Sequence, residues 1–222
     1  MDIALFTSHG LDYLVRFIHF LAGITWIGLL YYFNFIQGEY FKEAEPAHRS
    51  GAIQKLVPRA LWWFRWGAML TFLTGVAMLA YRGAGTTYDI TVGAVLGTLM
   101  FLNVWLIIWP NQKIVIASAT QVAQGGEALA EAAAAAPKAA LASRTNTLFS
   151  LPMLFFMGSS THLSNGLVTG ASTVGLCAIM LVIAALEING IVGKQGPMAS
   201  VRGVIHSGIG LTIVLYGMMV AL

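Results

Sequence analysis

The 222 residues are 58% hydrophobic and only 9% charged, with a formal net charge of +3. Soluble domains carry about 25% charged residues, so a chain this apolar cannot cover itself with polar surface and is expected to be solvated by lipid. The cations sit near the ends of apolar stretches, which removes nucleic acid as their explanation, and the lone Cys177 rules out a disulfide framework or a cysteine-based metal site.

Residues 1–11 contain Asp2 but no Lys or Arg, so no cleavable signal peptide is expected. The first apolar stretch covers about residues 11–36, and the second follows Pro58 and Arg59 over about 60–81. The third covers about 90–109, and Pro110 is expected to end it. The alanine-rich segment 111–143 carries Lys113, Gln121, Gln124, Glu127, Glu131 and Lys138 at helical spacing. It reads as an amphipathic surface helix or hairpin, broken near Gly125-Gly126 and Pro137. The last three apolar stretches cover about 146–163, with a kinking Pro152, then 168–188 and 203–222. The expected fold is therefore an all-α integral membrane protein, one domain over 1–222, with a bundle of about six transmembrane helices. Gly93-x-x-x-Gly97 signals close helix packing.

The connection between the first two stretches holds Lys42, Arg49, Lys55 and Arg59. The segment before the fourth holds Lys113, Lys138 and Arg144, and the one before the sixth holds Lys194 and Arg202. The alternate connections carry only Arg82. The positive-inside rule puts the basic connections in the cytoplasm and both termini outside, in the periplasm if the membrane is a bacterial inner membrane.

Polar groups within apolar stretches are costly and are functional candidates for that reason. Of five histidines, His19 lies in the first stretch, His162 near the outer end of the fourth and His206 near the inner end of the sixth. His9 and His48 read as solvated. Neutral imidazole is a good axial ligand for heme iron, and helical bundles hold heme between facing histidines. His19 and His162 fall at the same outer depth, so these two are the expected pair of metal ligands, with His206 left for a second site. Arg16 shares a helix face with His19 and would pair with a heme propionate. Trp26, two turns on, would line the same cavity. The plain alternative for each histidine is a hydrogen-bonded packing residue. Trp62, Trp63, Trp66 and Arg65 read as an interfacial aromatic belt with a snorkelling arginine. Asn103 and Glu187 are buried polar residues that could relay protons or simply reach an interface.

The string from His19 through Trp26 to Gly28, then Phe64-Arg65-Trp66-Gly67, Trp109-Pro110-Asn111-Gln112-Lys113, and Arg144-Thr145-Asn146 through Pro152 to His162, resembles the membrane domain of the PuuD-type urate oxidases. The His-x₆-Trp-x-Gly and Arg-x-Asn pieces are more distantly similar to the HemJ family of membrane heme proteins. The resemblance implies a membrane-bound oxidoreductase that converts urate to 5-hydroxyisourate, uses heme b and passes electrons to a cytochrome c. No Cys-x-x-Cys-His occurs in these residues, so covalent c-type heme is not expected here and the acceptor would be a separate periplasmic partner. A competing expectation is a non-catalytic heme-binding or structural subunit of a larger respiratory or photosynthetic complex. A transporter is the third, disfavoured by scarce intramembrane charge and the lack of repeated broken helices.

Overall fold

The computed structural model describes residues 4–163 and 165–222. Among these residues every regular element is helical, apart from one isolated bridge between Thr87 and Leu167. Helix α1 (Ser8–Tyr31) starts where the Thr7 side chain accepts the Gly10 N–H. It passes through a π-helical turn, Tyr32–Gln37, into the short α2 (Gly38–Glu43). After α3 (Pro46–Lys55) comes α4 (Val57–Arg82), which packs along α1. Gly67 makes that approach possible, because a Cβ there would stand 3.2 Å from the Trp26 backbone nitrogen.

Helix α5 (Tyr88–Leu102), capped by Thr87, runs through a second π segment, Asn103–Ile108, into α6 (Trp109–Ala123). The expected stop at Pro110 is therefore not there. The wide π turn just before the ring relieves the clash that a proline makes with the preceding α-helical turn. The chain breaks instead at Gln124–Glu131, where Gly125 adopts a φ of +86° that favours glycine. Pro137 does not break the next helix, α7 (Ala132–His162), which also continues through Pro152. Helices α8 (Thr173–Val192) and α9 (Val201–Ala221) complete the bundle, each with a serine at its N-cap.

Five continuous helical stretches are long and apolar enough to cross a bilayer: Ser8–Glu43, Val57–Gly85, Tyr88–Ala123, Thr173–Val192 and Val201–Ala221. The stretch expected at 146–163 is the C-terminal half of α7 and is not among them. The reason lies in its position. Helix α7 packs against α5, α6, α8 and α9, and Thr145, Asn146, Thr147 and Ser150 along it are fully buried. A helix wrapped by protein needs no apolar coat of its own. Gly93 serves the α5–α7 contact, with the Phe156 Cβ 3.3 Å from where its own would be, as the glycine pair anticipated. Apolar side chains such as Phe20, Ile24, Leu106, Leu181 and Ile213 stand exposed on the outside of the bundle.

Candidate functional site

Two cavities lie toward opposite ends of the bundle, strung along the same helices. The first, of about 240 Å³ and partly open, is lined by α1 (Arg16, His19, Trp26), α4 (Thr71, Gly75, Arg82), α5 (Ala94, Gly97) and α7 (Met157, Thr161). His19 is held from across the α1–α4 contact. Its Nδ1 lies 2.9 Å from Thr74 Oγ1, and that hydroxyl spends its single proton on the carbonyl oxygens of its own helix, chiefly Leu70 at 2.6 Å. With that proton on Leu70 O, Thr74 Oγ1 is placed to accept from a His19 Nδ1–H, the pairing that suits the tautomer with its lone pair on Nε2. A ligating histidine is held in this way, with its second nitrogen donating to a fixed acceptor. Gly75 leaves room for the ring: a Cβ there would approach His19 Cε1 to 3.3 Å.

The rest of the cavity supplies complementary groups. Trp26 is 2% exposed and its indole N–H is buried without an acceptor. Arg16 is ion-paired with Asp12 at 2.7 Å. Arg82 donates to Ser160 Oγ at 2.9 Å and has no carboxylate partner among the described residues. The cavity thus brings one imidazole, anchored through Nδ1, and two guanidinium groups to a largely apolar slot, with Arg16 already paired to Asp12 and Arg82 left without a carboxylate among the described residues. His162 is the exposed last residue of α7 and is not part of the lining, although its neighbour Thr161 is. Met157, a thioether on the same helix, does line the cavity. His206 is exposed on α9, and His9 and His48 are exposed as well. Among the described residues no three His, Cys, Asp or Glu side chains cluster as for a bare metal ion.

The second cavity, of about 350 Å³, lies where the two π turns meet the start of α4 and the N-terminal half of α7. Its polar wall includes Asn34, Gln37, Lys42, Arg49, Gln112 and Arg144. Between the cavities is a buried polar knot. Asn103 Nδ2 donates to Asn146 Oδ1 (3.0 Å) and Glu187 Oε2 (3.1 Å), and Asn146 Nδ2 donates to Met100 O (2.9 Å). Asn103 and Glu187 thus meet, joined by Asn146. Arg65 does not snorkel alone; its guanidinium stacks 3.8 Å over the Trp109 ring.

In the sequence Arg82 and Arg144 stand out only as topological charges, Arg144 also as a member of a motif, and Thr74 and Gln37 do not stand out at all. Thr74 and Gln37 carry no local signal, since each acts through an atom of another helix or a cavity. The profile of the family described as "Urate oxidase N-terminal" matches residues 83–215, more than half of the chain. The match takes in Gln112, Arg144, Asn146 and Met157 and stops short of Arg16, His19 and Trp26. No curated protein and no solved structure matches the chain.

Proposed function

The chain belongs to the urate oxidase N-terminal family, and we propose on that footing that it is a membrane-embedded oxidoreductase, carrying heme b, that oxidises urate or a closely related small heterocycle. The basic connections face the cytoplasm in this reading, so the His19 cavity lies toward the outer face, where a separate cytochrome c or another periplasmic acceptor collects electrons. Conversion of urate to 5-hydroxyisourate takes up one water and releases two electrons and two protons. Heme, when bound, supplies a one-electron acceptor of tunable potential. The chain's own residues do the rest. His19 would hold the iron through its ring nitrogen facing the cavity, with Thr74 orienting the ring. Arg82, without a carboxylate partner among the described residues, would meet a propionate, with Arg16 beside it already paired to Asp12, and the buried Trp26 N–H would find an acceptor there. A second ligand would come from the C-terminal half of α7, where Met157 lines the cavity and His162 is the last residue of the helix.

The observation that carries this reading is the His19 imidazole, paired through Nδ1 with Thr74 at 2.9 Å, in a cavity that Arg16 and Arg82 also line. A reduced-minus-oxidised spectrum of the purified chain tests it. A b-type band is expected in the wild type and is lost in His19→Ala; His162→Ala and Met157→Leu assign the second ligand. Turnover of urate with cytochrome c as acceptor is expected to vanish with the band. A purified chain without Soret absorbance would overturn the heme assignment.

A further inference from the structure

The second cavity is built as a binding site, and none of its members has a part in holding heme. Arg144 is only 8% exposed, its Nη1 is buried without a hydrogen-bond partner, and it forms no ion pair among the described residues. A buried, unpaired guanidinium is costly unless something anionic joins it. The carboxylate of the α2 turn, Glu39, is hydrogen-bonded to Lys42 at 2.7 Å and acts on Arg144 through space without a hydrogen bond or ion pair to it. Arg49 adds further positive charge to the same wall, while Lys42 is offset by Glu39. The cavity also holds an orphan of the opposite kind: Gln37 Oε1 is buried with no donor. The Asn34 amide, by contrast, has both its hydrogens placed, on Leu30 O (2.9 Å) and Ser143 Oγ (2.8 Å).

A ligand that satisfies both orphans must present an anionic acceptor to Arg144 and an N–H donor to Gln37. A simple carboxylate has no such N–H, and a neutral amide leaves the guanidinium uncompensated. The geometry points to a small planar organic monoanion, a deprotonated cyclic ureide or oxopurine, bound at Arg144 and Gln37 at the opposite end of the bundle from His19. Phe33, Phe41 and Phe64 supply apolar and aromatic surface to the same cavity, suited to the faces of a flat ring. The inference rests on the preceding reading only in making urate the natural probe; the cavity and its two orphans stand without heme.

Equilibrium dialysis of radiolabelled urate against the full chain in lipid nanodiscs tests it, with benzoate as an anion lacking N–H. Wild type is expected to bind urate and to be displaced poorly by benzoate. Arg144→Gln should weaken binding at least about tenfold and Gln37→Leu about fivefold, since each leaves a ligand group without its buried partner. His19→Ala should bind urate as wild type does, with or without a heme band, so that failure of the heme reading and failure of this one are told apart. Arg144→Gln should also raise the melting temperature of the ligand-free protein, an outcome opposite to that of a structural arginine. Wild type that does not bind urate, urate affinity unchanged in both variants, or equal displacement by benzoate would each overturn the assignment.

Discussion

Thr74 has one hydroxyl proton, and its use on Leu70 O suits one tautomer of His19. Thr74→Val keeps the shape and removes the acceptor, so His19 loses its preferred tautomer and orientation. Heme affinity is expected to fall at least about tenfold, with Thr74→Ser near wild type, as read from the heme-to-protein ratio after a dilution series. His19, Arg16 and Trp26 were legible in the sequence because polar or aromatic groups at helical spacing stand out from an apolar stretch. Thr74 was not, since threonines in such helices commonly bond only their own carbonyls, as Thr25, Thr71 and Thr98 do here. His162 shows the converse problem. Depth along a helix can be counted from sequence, but the side of the helix that faces the cavity depends on packing, and Met157 holds that side.

Periodicity and composition located α1, α4, α5, α8 and α9, but split the continuous α7 at Pro137 into a surface segment and a separate span, failing where a helix obeys its neighbours more than its own residues. Pro110 would end an isolated helix; inside α5–α6 the π segment Asn103–Ile108 absorbs it. The same kind of turn at Tyr32–Gln37 rotates Asn34 inward and builds part of the second cavity. Helix contacts are also where single atoms matter most. Gly190 of α8 faces Thr145 of α7, and a Cβ at Gly190 would fall 2.6 Å from Thr145 Oγ1 and 2.8 Å from Cγ2. Gly190→Ala is therefore expected to cost about 1–3 kcal/mol by forcing the two helices apart. Thermal unfolding in detergent measures this, and Thr145→Ala in the same chain should restore much of the loss, because it removes the atoms that collide.

For the whole molecule the sequence gives a side to each end, and the fold gives each end a task. The basic connections gather at the end of the Arg144 cavity, while Arg82, the one cation of the alternate connections, lines the His19 cavity. On the proposed reading, the positive-inside rule would put the organic-anion site toward the cytoplasm and the electron acceptor outside. Single cysteines introduced at the exposed positions Glu43 and Ala84, in a Cys177→Ser background, check it. A membrane-impermeant thiol reagent applied to intact cells should label Ala84→Cys and spare Glu43→Cys until the membrane is opened. Labelling of the reverse pattern would place the acceptor on the wrong side of the proposed electron path.

The sheltered position of α7 has a consequence for how such a chain is made. Threonine, asparagine and serine in the half-helix after Arg144 make it a poor candidate to leave the translocon for lipid unaided. Its companion α5 has already emerged by then, whereas α8 and α9 are still to be synthesised. If the chain inserts into a membrane, the helix at the centre of the bundle would be expected to wait beside α5 until the C-terminal pair is made and can enclose it.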